Sequence, residues 1–156
     1  PLPIFFSREL ALPASAVFAI YVLNSCGGVV GYFIAGRSSV RPREKSHINL
    51  IVIFRSILAF LFIIVALMPA YSVAMAAVLL ILMGFAYAFF LVYTLSLSME
   101  LIPMGKAGLF NVLVGLGQAG GAFIGPFLAQ ILGFTYAFLI SGIIFFLAYV
   151  AFKIFA

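Results

Sequence analysis

A catalyst needs a nucleophile, an acid, a base or a metal ligand held close to another, and such residues are scarce in this chain. It has one His (His47), one Cys (Cys26), no Asp and three Glu. His47 follows a basic stretch of Arg37, Arg41, Arg43 and Lys45, where a residue at headgroup level is expected rather than a base or ligand. Glu100 adjoins a long apolar run, and its expected place is the cytoplasmic end of that run, paired with Lys106 or an Arg of the basic stretch. A lone thiol excludes an intrachain disulfide and a Cys-based metal site. With no HExxH, no second His and no paired carboxylates, hydrolytic and metal-dependent chemistry has no residues to carry it. No enzymatic activity, catalytic residue, metal or cofactor is expected.

What the sequence does offer is hydrogen-bonding side chains set into apolar runs. Tyr21, Asn24, Ser25, Gly28 and Tyr32 recur at helical spacings, Tyr87, Thr94 and Ser98 fall along one stripe, and Asn111 and Gln118 stand seven apart. Amides and hydroxyls in hydrocarbon are costly unless paired or wetted, so these faces are expected to point into a bundle or cavity. Tyr21, Asn24, Tyr87, Thr94, Asn111 and Gln118 are therefore candidates for lining the path of a small solute. Interhelical hydrogen bonds would explain them as well. Small residues recur at every fourth position, as Gly27, Gly31 and Ala35 and again as Gly117, Gly121 and Gly125. Glycines at this spacing let membrane helices approach closely. Pro126 removes a backbone donor and is expected to bend its helix, which suits either gating or static packing.

The elements that must position these residues follow from composition. The chain is 67% apolar and 7% charged, whereas about a quarter of a soluble domain is charged. Charges are absent between Leu10 and Gly36, between Ser56 and Met99 and between Ala107 and Phe152. A membrane-spanning helix needs about 20 apolar residues at about 1.5 Å each, so the first gap holds one span and the others two each. The expected architecture is all-α: a polytopic membrane helical bundle forming one domain over residues 1–156, with five transmembrane helices near 13–36, 49–68, 73–98, 108–132 and 134–155. Residues 1–12 are too short to span and read as the last turn of a preceding helix. The short turns at 69–72 and at Gly133 require antiparallel neighbours.

The net charge of +5 marks orientation rather than nucleic-acid binding, because its densest cluster flanks a span. With residues 37–47 on the cytoplasmic side, seven of the eight Lys and Arg fall there and Arg8 falls opposite. The C-terminus is then cytoplasmic, and a plasma-membrane location is expected. Arg55 is expected near the cytoplasmic end of its span, snorkelling back to water. The second and fifth spans read as a lipid-facing shell, and the first, third and fourth as an inner wall.

Two segments carry a family resemblance. Gly31 to Arg37, followed by Ser38 to Lys45, resembles the loop motif G-x-x-x-D-R-x-G-R-[RK] of major facilitator superfamily transporters, with Gly36, Arg37, Arg41, Arg43 and Lys45 as its counterparts here. Val40 stands where that motif has Asp, and Glu44 replaces a basic position. Gly121 to Pro126 resembles the family's G-x-x-x-G-P element. The resemblance implies a major-facilitator-like C-terminal half, from the tail of a seventh helix through a twelfth. It implies a partial secondary active transporter that moves a small solute by alternating access, with the lipid bilayer, that solute and a missing N-terminal half as partners. The alternative is a small membrane subunit or assembly factor that binds partner helices without transport of its own.

Overall fold

In hydrocarbon a backbone must satisfy its own polar groups, so a long apolar run folds as a helix. The computed structural model describes residues 2–37, 44–68, 72–101 and 107–155, and no strand occurs among them. Six helices follow in order: α1 Leu2–Arg8, α2 Ala14–Arg37, α3 Glu44–Leu67, α4 Ser72–Leu101, α5 Ala107–Leu132 and α6 Phe134–Phe155. All but α1 are long and apolar enough to cross a membrane. The fold is an all-α polytopic bundle.

Most of the expected boundaries agree with the helices within a residue or two; α3 begins as a helix at Glu44, ahead of its apolar span Ile48–Leu67, which agrees with the expected 49–68. Lys45 and His47 are therefore helical rather than loop residues. Arg41 and Arg43 lie outside the described residues, as do Lys106 and the side chains of Lys45 and Glu100.

The helices pack side by side in the order α2, α4, α3, α6, α5, while α1 touches α2. The α2–α4 contact is made by missing side chains. Gly27, Gly31 and Ala35 are buried. A β-carbon on Gly27 would strike the backbone of Ile81, and one on Gly84 would strike the backbone of Asn24. At Gly31 it would stand 2.8 Å from both the Ala88 β-carbon and the Phe85 carbonyl oxygen. Backbones this close gain dispersion contacts that bulkier residues would prevent.

Between α3 and α6, buried Ser56 donates its hydroxyl to the Gly142 carbonyl oxygen at 2.9 Å. The Phe60 ring covers Gly142, where a β-carbon would lie 2.7 Å from it. Ser56→Ala should cost about 1 kcal/mol, the usual worth of one such bond. A shift in the unfolding midpoint of the purified chain in mixed micelles measures it, and no shift would mean the bond contributes nothing.

At the opposite end from the basic segment, Phe5, Phe6, Phe62, Phe134 and Phe138 form an aromatic cluster. Phe5 lies 5.3 Å from both Phe134 and Phe138 in tilted and edge-on contacts, and Phe138 lies 5.4 Å from Phe62. α1 thereby buries Phe5 and Phe6 completely. Gly133 alone separates α5 from α6. Its φ of +87° is a conformation that favours glycine, and its N–H caps α5 by donating to Ala129 at 3.1 Å.

The division into inner and outer helices departs from composition. α3, expected in the lipid-facing shell, has the largest buried share of the five spans, and α5, expected in the inner wall, the smallest. Position decides this: α3 packs between α4 and α6, whereas α5 leans chiefly on α6.

Candidate functional site

Polar side chains meet near the middle of the bundle. Arg55 stands eleven residues after the start of α3 and twelve before its end. Tyr87 is fifteen residues into α4, with fourteen to follow, and Phe145 is eleven into α6, with ten to follow. These three midpoints converge. The Arg55 guanidinium lies 4.6 Å from the Phe145 ring centre, 5.4 Å from Tyr87 and 5.6 Å from Phe90. Desolvated cations gain from such ring faces. Its Nε is buried with no hydrogen-bond partner among the described residues. Arg55 thus reaches sideways into an aromatic cage instead of snorkelling along α3 toward the basic segment. The apolar span of α3 is Ile48–Leu67, so Arg55 stands seven residues after its start and twelve before its end; what departs from expectation is the direction of the side chain.

From the cage the polar path continues outward. The Gln118 side-chain amide of α5 donates to the Tyr87 hydroxyl at 2.6 Å, which joins α3, α4 and α5 through Arg55, Tyr87 and Gln118. Gln118 is exposed on the far side. Of the six candidate path residues, these contacts bring together only Tyr87 and Gln118. Thr94 donates to the carbonyls of Phe90 and Leu91 on its own helix, at 2.5 and 3.3 Å, as hydroxyls in apolar helices commonly do. Tyr21 and Asn24 are half-buried on α2. Tyr21 lines a shallow groove of about 560 Å³ with Phe18, Val22, Ser25, Cys26 and Val29. Asn111 is exposed.

The glycines divide into two sets. Gly27 and Gly31 are filled by α4, whereas β-carbons at Gly117 and Gly121 would meet nothing within 4 Å. Gly125 and Pro126 are half-buried, and Pro126 lies inside a continuous α5. It borders a cavity of about 120 Å³ with Ile4, Arg8, Ala129, Gln130 and Phe134. Gly36 is exposed, with open space where a β-carbon would stand. Arg37 lies 4.6 Å over the Phe33 ring.

Arg55, Phe90 and Phe145 are the residues that reasoning from sequence missed. The available signal was Arg55 itself, the last charge before a run of apolar residues that ends only at Glu100. No group of His, Cys, Asp or Glu that could hold a metal occurs among the described residues. The arrangement can bind and orient, since it offers donors, ring faces and open backbone surface.

Residues 8–153 match the family described as PUCC protein. No curated protein and no solved structure matches the chain. The family match corrects the expected membership: it is not a major facilitator superfamily fragment. The apparent motifs consisted of fourth-position glycines and a basic segment beside a span. Close helix packing and cytoplasmic orientation produce both features in unrelated membrane proteins.

Proposed function

Because the chain belongs to the PUCC protein family, which it matches over residues 8–153, we propose that it is a non-catalytic membrane module that binds partner transmembrane helices. The observation that carries this is the face of α5: a 26-residue helix whose Gly117 and Gly121 lie open with nothing against them. On α2 and α4 the same spacing is used to bring two backbones together, and on α5 it awaits a second helix. The C-terminal end of α2 and that of α6 lie on the cytoplasmic side, as the basic residues there favour.

The test is photocrosslinking in native membranes from exposed Ile124, beside the α5 glycines, and from exposed Leu50 on α3. Ile124 should crosslink to protein and Leu50 to lipid. Gly117→Leu with Gly121→Leu should lower the Ile124 protein crosslink at least tenfold. Because no atom stands within 4 Å of either position, the unfolding midpoint of the isolated chain should not move. Lipid labelling at both positions would refute docking on α5.

A second reading, passage of a small solute by alternating access, draws on the polar path from Arg55 to exposed Gln118. Solute uptake by proteoliposomes that is lost in Gln118→Leu, with no protein crosslink from Ile124, would favour it.

A further inference from the structure

Arg55 is the only charged residue set deep inside a span among the described residues, and helix docking on α5 does not use it. Three ring faces offset part of its charge, but they do not satisfy its hydrogen bonds. A guanidinium presents five N–H donors in a planar fork and accepts none. Ring faces offer no lone pairs, and Nε remains buried without a partner among the described residues. The acids of the chain stand far off along their helices. Glu44 precedes Arg55 by eleven residues on α3, about 16 Å along the axis. Glu100 follows Tyr87 by thirteen residues on α4, about 20 Å. Glu9 lies beyond the end of α1, at the other end of the bundle. Intramembrane cations elsewhere pair with an acid or with carbonyls, and this chain brings no acid to that depth.

We infer that Arg55 receives a carboxylate from outside this chain within the membrane-spanning part of the bundle. A carboxylate matches the guanidinium fork with two parallel hydrogen bonds. It can also cross hydrocarbon protonated and ionise beside the cation, which a phosphate dianion cannot do at comparable cost. The way in is the seam between α4 and α5, where the Gln118–Tyr87 bond spans two helices that otherwise touch little. An arriving acid displaces that bond and meets the cation behind the tyrosine ring. The carboxylate has two possible sources, a Glu or Asp on a helix docked against α5 and an acid dissolved in the bilayer. Only the first source rests on the proposed docking function.

The experiment has two arms. In the first, the purified wild-type chain in nanodiscs, labelled with ¹⁵N-arginine, is titrated with 4-octylbenzoate and separately with 4-octylbenzyl alcohol. The Arg55 Nε–H resonance, identified by its loss in Arg55→Lys, should move with the acid and stay still with the alcohol. In the second arm, Arg55→Gln is combined with the photocrosslinker at Ile124 in native membranes. A crosslink lowered tenfold or more, and restored in part by Arg55→Lys, assigns the carboxylate to a partner helix. An unchanged crosslink together with a responsive resonance assigns it to a dissolved acid. A resonance indifferent to the acid together with a crosslink indifferent to Arg55 overturns the inference. If wild type gives no protein crosslink, the docking function fails and the titration alone decides this one.

Discussion

Gly27→Leu separates α2 from α4 and destabilises the bundle by about 3 kcal/mol or more, the upper range for overpacking a site that cannot yield. The new side chain would meet the Ile81 backbone, not the movable end of a side chain. Relief requires the helices to move apart, and that removes the contacts at Gly31 and Gly84 as well. α2 has no other broad contact in the chain, since α1 touches it only lightly. The measurement is the unfolding midpoint in mixed micelles, with Gly121→Leu as the control. The control midpoint should equal wild type, because Gly121 has open space around it. Equal midpoints for all three chains would mean that α2 and α4 are not packed through these glycines.

Phe138→Ala has the second largest expected effect. Phe138 is 4% exposed and links three helices, standing 5.3 Å from Phe5 of α1 and 5.4 Å from Phe62 of α3. Burying a ring in protein instead of lipid gains little by transfer, since lipid chains are equally apolar. What is lost is dispersion and ring–ring contact around an unfilled cavity, about 3 kcal/mol. α1 should then become sensitive to protease, because Phe5 loses one of its principal ring partners. Phe146→Ala, on the exposed side of the same helix, should leave both stability and cleavage unchanged. Matching cleavage of α1 in both variants would argue that the cluster does not hold it.

Hydropathy alone was enough to find the five spans, because nothing but a helix closes its own hydrogen bonds in hydrocarbon. Prolines and the glycine at 133 placed most boundaries. The α3 start escaped, because Glu44 and Lys45 look like loop residues while serving as a helical first turn. The direction of the Arg55 side chain escaped too, because only the packed helices show that its guanidinium meets the rings of Tyr87, Phe90 and Phe145. The inner and outer assignment also escaped, because polar side chains here do not all face inward. Ser56, a single hydroxyl among apolar residues, seats α3 against α6, while Asn111 and Gln118 leave α5 largely uncovered. Sequence pattern showed which glycines were spaced for contact. It could not show that Gly27 and Gly31 have found their partner helix while Gly117 and Gly121 have none among the described residues.

The single-residue turn at Gly133 matters before the protein is folded. α5 has the lowest mean hydropathy of the five spans, and three amides, Asn111, Gln118 and Gln130, weaken its claim to the bilayer when it leaves the ribosome. With one residue between them, α5 and α6 can only partition into the membrane together, as a hairpin whose more apolar arm carries the other across. A flexible Gly-Ser tract inserted after Leu132 would make α5 enter on its own merits. Glycosylation acceptors placed on either side of that helix would then report a fraction of chains that fail to cross.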